Sequence, residues 1–438
     1  MTDLNFKEFR DPIHGFIGIS EDELKIIEHP LFQRLRGIKQ LSFGNLVYHG
    51  AEHTRFGHSL GVLNVVNRAL NSIMKNSELV GQKGYVTEDD IKLARISVLL
   101  HDVGHFPFSH ALDGVLPDEH EKYSSKLAKT EFAPLLDNAG LDPEKVGDMI
   151  EGNAPLDKPY LASLITGQLD VDKFDYLLRD SYYAGVKYGI YDIDRLLDSL
   201  CVKDNELLVL ESGYFAAEQL IIARYHMFAQ VYYHKTKRAF EEMVKKISRH
   251  MYDSNSLNYP SLSDLENNTG INELIKINDY WFLEKMKACE EPHMNRIAKM
   301  VNERIPYKVI LDSGNIWKKI NEKDPAAGRG VITAIESDIS YSLSNLNIDK
   351  SEIIVDRFRN VAYKLKPYIR VEADESEEEE IVYVYNKKID NKKPIEELSP
   401  IVKELATNIS STMRVYVDEL KKETLLNFLN DKYAGLLG

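Results

Sequence analysis

Helical spacing of the apolar residues runs from residue 20 to about residue 250 and limits the first half of the chain to an all-helical unit. From Asp89 to Leu100, Ile91, Ala94, Ile96, Val98 and Leu99 follow that spacing and leave Lys92 and Arg95 for a more polar face. Residues 251 to about 350 continue as helices joined by polar connectors (SNSLNYPSLSDLENN, NEKDPAAGRG), with Tyr307 to Leu311 as a candidate strand. Past residue 350 come short β-prone runs at 353–355, 368–371, 381–385 and 413–417, interrupted by a helix-like stretch at 400–409. The expectation is a mainly α protein with a helical core over 1–250, a helical extension over 251–350 and a small C-terminal α+β lobe over 351–438. The acidic run at 374–380 separates two β-prone runs, and its mutual repulsion predicts a mobile hairpin tip.

The chain's 438 residues exceed the ~250 to 300 at which single cores stop growing, which also predicts more than one unit. A hydrophobic fraction of 43% with 28% charged residues fits a soluble globular protein. The net charge of −14 argues against broad nucleic-acid or anionic-membrane binding, while leaving room for a local basic pocket around a polyphosphate. Cys201 and Cys289 are the only cysteines, which excludes a disulfide framework and a thiolate metal site and fits a reducing compartment. The N-terminal MTDLNFKEFRD has no signal-peptide core, and no apolar run approaches the ~20 residues of a membrane span. A cytoplasmic protein is expected.

The chemistry concentrates in His101-Asp102-Val103-Gly104-His105, which follows the apolar run from Ile96 to Leu100. A neutral imidazole beside an ionised carboxylate suits a divalent first-row metal, and Gly104 and Pro107 break the helix just beyond, where water and substrate can reach the ligands. An isolated His-Asp pair is common. Here HTRFGHSLG (53–61) lies upstream and DVDKFDY (170–176) downstream.

This pattern resembles the HD superfamily of metal-dependent phosphohydrolases, which implies His58, His101, Asp102 and Asp172 as metal ligands. Asp11-Pro12-Ile13-His14-Gly15, FQRLR (32–36) with Lys39-Gln40-Leu41, and RYHMFAQVYYHK (224–235) resemble the deoxynucleoside triphosphate triphosphohydrolase branch. The implied fold is a helical HD-domain phosphohydrolase core, with no SAM domain. The implied reaction is hydrolysis of dNTPs to deoxynucleoside and triphosphate, with homodimers or homotetramers as the assembly. Two histidines and two aspartates without sulfur suit Mn, Fe, Ni or Zn, and Mg²⁺ is expected with the substrate phosphates.

Further roles follow from the resemblance and from spacing. His105, His110, Asp113, His120 and Glu121 form an excess of proton carriers. Asp113 lies three residues from His110 and can raise its pKa, so His110 is favoured as the acid for the leaving oxygen, with His120 as the competing candidate. Asp172, Lys173, Tyr176 and Asp180 share one helix side, as do Arg224, Phe228, Tyr232 and Lys235. The resemblance gives Arg55, Lys173, Arg224 and Lys235 to phosphates, Tyr176 to sugar stacking, Asp180 and Gln40-Leu41 to the 3′-hydroxyl side, and Tyr232 to the 2′ position. It places an activating nucleotide at Glu28 and Arg36. The chain departs from relatives at Phe228 and Tyr233, where His and Gln occur near the base, and at Gly57, where Glu often precedes the first ligand. Competing readings are another HD phosphohydrolase, acting on a monophosphate, cyclic nucleotide or alarmone, and a dNTP sensor without turnover.

Overall fold

The computed structural model describes residues 7–82, 85–112, 115, 118–314, 325–360, 381–407 and 410–433. It is mainly α. Among its helices are α1 (Arg55–Leu79), α2 (Glu88–Leu100), α3 (His120–Lys129), α4 (Val171–Ala184), α5 (Tyr214–Met227), α6 (Lys235–Asp253) and α7 (Asp279–Lys287). The chain divides into two compact units, one of Met1–Val231, Asn258–Leu283 and Val361–Asn408, the other of Tyr232–Leu257, Glu284–Asn360 and Ile409–Gly438. These units do not follow the three consecutive segments 1–250, 251–350 and 351–438, because strands distant in sequence pair within each unit.

In the first unit, β1 (Lys7–Asp11) and β2 (Gly15–Ile19) form an antiparallel hairpin, with Gly15 at φ +76° supplying the turn. Strands β3 (Leu200–Lys203), β4 (Glu206–Leu210), β7 (Tyr383–Asn386) and β8 (Asn391–Pro394) form one sheet, in which β4 and β7 run parallel. In the second unit, β5 (Lys308–Asp312), β9 (Ser410–Val417) and β6 (Ile353–Asn360) form an antiparallel sheet whose Val415 shares a buried cluster with Ile335, Ile339 and Leu429. The first half is therefore not all helical, and the expected C-terminal lobe contributes strands to both units. The β-prone run at 368–371 and the acidic run at 374–380 lie outside the described residues.

Helix α1 is the axis of the first core: Leu63, Val65, Val66, Leu70 and Ile73 are buried, and the helix packs on α2, α4 and β3. Thr87 and Asp90 form a reciprocal capping box that starts α2, and three acidic residues in the first turn suit its dipole. Of the face of α2 read as polar, Lys92 keeps a side chain 40% exposed, but Arg95 is buried and donates to both carboxylate oxygens of Glu23 at 2.6 and 2.8 Å. Asp170 caps α4 by accepting the Lys173 N–H at 2.8 Å, and Gly185 at φ +70° ends the helix.

Candidate metal centre and active site

Three chain segments converge at the start of α1, the end of α2 and the first turn of α4. Gly104 allows the His-Asp turn to close: a Cβ there would lie 2.5 Å from the His120 carbonyl oxygen and 2.5 Å from the Ser124 nitrogen. Ser124 Oγ donates to the His101 carbonyl at 2.6 Å and accepts the Gly104 N–H at 2.9 Å, so α3 satisfies the end of α2.

His58, His101 and Asp172 bring three donor atoms within 4.8 Å of one another. Asp172 Oδ1 lies 2.7 Å from His58 Nε2 and 3.7 Å from His101 Nε2. Asp102 faces the same two nitrogens, Oδ2 at 3.8 Å from His58 and Oδ1 at 3.3 Å from His101. Both imidazoles are oriented from behind: His58 Nδ1 donates to Asp175 at 2.7 Å and His101 Nδ1 donates to the Val98 carbonyl at 2.5 Å. That leaves Nε2 as the atom each ring can turn to a metal ion once it is deprotonated. Neither Nε2, though buried, has a hydrogen-bond partner of good geometry among the described residues. Two such atoms aimed at two carboxylates fit a divalent cation. The Asp172 side chain is 36% exposed against 1% for His58, so the centre opens to solvent on the Asp172 side.

The electrostatics match. Burial opposes charge on His58, but Asp172 and Asp175 more than offset it and hold the imidazole up at about 10. Burial likewise opposes ionisation of Asp102, yet Arg55, His101 and His105 keep it well below the usual carboxylate range. Asp170 is pushed up to about 6 by burial, against the lowering effect of Lys173 and with help from Asp172.

Asp175 is the hub behind the candidate ligands. It accepts from His58, from His14 Nε2 at 2.7 Å, and from Arg179 Nε and Nη2 at 2.8 and 2.9 Å, while Arg179 Nη1 donates to Asp11 at 2.9 Å. Sequence reasoning assigned no role to Asp175, His14, Arg179 or Asp11, although the Asp11 to Gly15 motif was visible and Asp175 lies three residues after Asp172.

The other expected residues are distributed as follows. Arg55 donates from Nη1 to Asp102 at 2.6 Å and from Nε to Ser109 Oγ at 2.7 Å. His105 Nε2 lies 3.2 Å from Asp102 Oδ1, its ring stacks on His120 with centroids 3.6 Å apart, and His120 Nδ1 is 3.1 Å from Glu121. Asp102, His105 and His120 thus form a second donor group beside the first. The His110 side chain and Asp113 lie outside the described residues. Lys173 Nζ donates to Asp170 and, at 2.8 Å, to the Gly167 carbonyl. Asp180 accepts from His53 Nε2 at 2.7 Å, and the His53 ring stacks on Tyr183. Gln40 Oε1 is buried with no hydrogen-bond partner among the described residues, and Leu41 is buried next to it.

Burial raises the Tyr176 phenol, with Arg224 acting against the shift and Asp172, Asp170 and Asp180 adding to it. Arg224 lies over the Phe228 ring at 5.4 Å. Tyr232 and Lys235 belong to the second unit. Glu28 is exposed at its helix end, and Arg36 lies 3.5 Å over the Phe56 ring while donating to Gln33 at 2.8 Å. A Cβ added at Gly57 would meet Arg179 Nη1 at an ordinary contact distance. Among the described residues no helix is long and apolar enough to cross a membrane.

A family model described as the HD domain matches residues 55–180, which include all four expected ligands, and one described as the HD associated region matches residues 191–433. YwfO, an uncharacterized protein of Bacillus subtilis, is 37% identical over 245 residues, 55% of this chain and 55% of that protein. The chain thus spans about half the length of that relative. The Dictyostelium discoideum protein named deoxynucleoside triphosphate triphosphohydrolase SAMHD1 homolog is 28% identical over 386 residues, 80% of this chain and 70% of that protein. The crystal structure of a hypothetical protein from Aquifex aeolicus superposes with a TM-score of 0.72 at 28% identity, covering 97% of this chain and 100% of that one.

Proposed function

Because the chain belongs to the HD-domain proteins that carry the HD associated region, we propose that it is a metal-dependent triphosphohydrolase of deoxynucleoside triphosphates. The observation that carries the reading is the pair of buried Nε2 atoms of His58 and His101 converging on the carboxylates of Asp172 and Asp102. These residues would hold Mn, Fe, Ni or Zn. A bound divalent ion lowers the pKa of water and polarises a phosphoryl oxygen.

In the proposed reaction water adds its oxygen to the α-phosphorus, the bond from phosphorus to the 5′-oxygen breaks, and the 5′-oxygen takes a proton. The products are a deoxynucleoside and triphosphate. His105 and His120 stand beside Asp102 and suit the α-phosphate. His110 is assigned the proton donated to the leaving oxygen, with His120 as its rival. Arg55, oriented by Asp102 and Ser109, offsets phosphate charge beside the ligands, and Arg224 suits the outer phosphates with Mg²⁺. The SAMHD1-like relative supports a deoxynucleotide over the other HD substrates.

Gln40, whose buried Oε1 awaits a donor, and Asp180, already oriented by His53, suit the sugar 3′-hydroxyl. A buried polar partner left unpaired costs ~1 to 3 kcal/mol, so deleting that hydroxyl should cost roughly 5- to 150-fold in kcat/KM. Turnover of dGTP, GTP and 2′,3′-dideoxy-GTP, with any activating nucleotide supplied at saturation, tests the assignment. Loss with both analogues is expected. Equal hydrolysis of GTP and dGTP would move the chain to another HD phosphohydrolase class.

A further inference from the structure

Asp279, the first residue of α7, lies beyond the segment read from sequence as the catalytic core, yet it belongs to the unit that holds the metal centre. Its side chain is 2% exposed, and neither of its two hydrogen-bond donors is a residue proposed to hold the metal. Each carboxylate oxygen accepts one backbone N–H from a different segment of the site, Oδ2 from Lys39 at 2.9 Å and Oδ1 from Phe108 at 2.8 Å. Lys39 precedes Gln40. Phe108 precedes Ser109 and His110.

The second segment is strained. Phe108 and Ser109 stand at φ +57° and +51°, in the left-handed region that side-chain-bearing residues avoid. Such a backbone persists only where its surroundings over-determine it, and it concentrates at functional sites. Here three contacts supply that constraint. Asp279 holds the Phe108 N–H, the Phe108 ring stacks on Phe43 at 4.3 Å, and Ser109 Oγ donates to the Lys39 carbonyl at 3.3 Å. Arg55 Nε donates to the same Ser109 Oγ at 2.7 Å, and the other end of that guanidinium holds the ligand Asp102. A continuous chain of contacts therefore runs from Asp279 through Phe108, Ser109 and Arg55 to Asp102.

We propose that Asp279 is a positioning residue, whose buried carboxylate clamps the 39–40 and 108–109 backbone together and so fixes Gln40 and Arg55 for turnover. The role rests on the reading of this site as a phosphohydrolase centre. Both oxygens must be acceptors for the clamp to close, so it works only with Asp279 ionised. Burial pushes this carboxyl up to about 6, against the Lys39 and Phe108 N–H groups and the charges of Lys39 and Arg55. The buried Arg34 guanidinium is the further cation facing it. Below that pH one oxygen becomes a hydroxyl and loses one of the two N–H donors.

The test compares wild type with Asp279→Asn in the full metal-loaded chain, measuring metal content, thermal unfolding, and kcat and KM for dGTP from about pH 5 to about pH 8. An amide presents an NH₂ to one of the two N–H groups and carries the defect at every pH. Metal content should match wild type, and kcat near pH 8 should fall about 10- to 100-fold with a smaller change in KM, as expected for misplaced groups. The wild-type to variant ratio should shrink toward one near pH 5. Wild-type kcat at pH 8, or a pH-independent ratio, would overturn the proposal. Should Asp279→Asn fail to fold, Ser109→Ala cuts the same chain of contacts one link on; a several-fold loss of kcat with metal retained supports the clamp, and unchanged kcat overturns it. The ratio is also measured on bis(p-nitrophenyl) phosphate. Hydrolysis of that ester but not of dGTP by wild type would refute the substrate reading alone, leaving the clamp to be judged on the ester.

Discussion

Gly57 and Gly61 stand about one turn apart on α1, and alanine at the two positions should have opposite consequences. A Cβ at Gly61 would lie 1.9 Å from Asp175 Oδ1 and 2.3 Å from Arg179 Nη2. Both partners are buried, at 0% and 1% exposure, so neither can swing into water. Ordinary contact begins at 3.4 Å, so the carboxylate must retreat by about 1.5 Å, more than its hydrogen bonds to His58 and Arg179 can follow. Breaking a buried ion pair costs roughly 3–5 kcal/mol, whereas exchanging Gly for Ala within a helix gains ~1 kcal/mol. Gly61→Ala should therefore destabilise the protein by about 2–4 kcal/mol. Loss of the carboxylate that orients His58 should weaken metal binding ~10- to 100-fold. At Gly57 the nearest atom, Arg179 Nη1, stands 3.5 Å from the added Cβ, so Gly57→Ala should keep its metal and gain up to ~1 kcal/mol. Thermal unfolding with and without metal, together with metal titration, reads both effects. A Gly61→Ala chain that melts at or above the wild-type temperature with unchanged metal affinity would refute the hub role of Asp175.

Asp102→Ala should lose metal and hydrolysis together, since it removes a carboxylate facing both imidazoles; elemental analysis and turnover near wild type would sink the ligand assignment. His110→Ala should lower turnover ~10²- to 10⁴-fold with metal content intact, and a loss confined to His120→Ala would exchange their roles. Metal binding should release protons: His58 is held up at about 10 without a cation, so it carries a proton at neutral pH that the ion must displace. Apparent affinity should then rise with pH up to about 10, while calorimetry in buffers of different ionisation enthalpy that shows no proton release would contradict this.

The candidate metal centre was legible because each of its residues sits in a short, dense motif at a helix end. Its supports were not, because they join residues far apart in sequence: 117 residues from His58 to Asp175, 161 from His14 to Asp175 and 171 from Phe108 to Asp279. Periodicity located α2 within a residue, yet it could not tell that Arg95 is covered, since that depends on Glu23 arriving from another helix. Strands β1 and β2 have only five residues each, too few for an alternating pattern to stand out. The partition of the C-terminal strands likewise depends on pairings such as β4 with β7, which no local signal encodes.

The central claim, attack at the α-phosphorus of a deoxynucleoside triphosphate, is tested most directly by hydrolysing each dNTP in oxygen-labelled water and analysing the products by mass spectrometry. The account predicts unlabelled deoxynucleoside and triphosphate carrying one label on the phosphorus that was α. Deoxynucleoside monophosphate with pyrophosphate, label in orthophosphate, or no turnover by the metal-loaded chain with activating nucleotides present would contradict it.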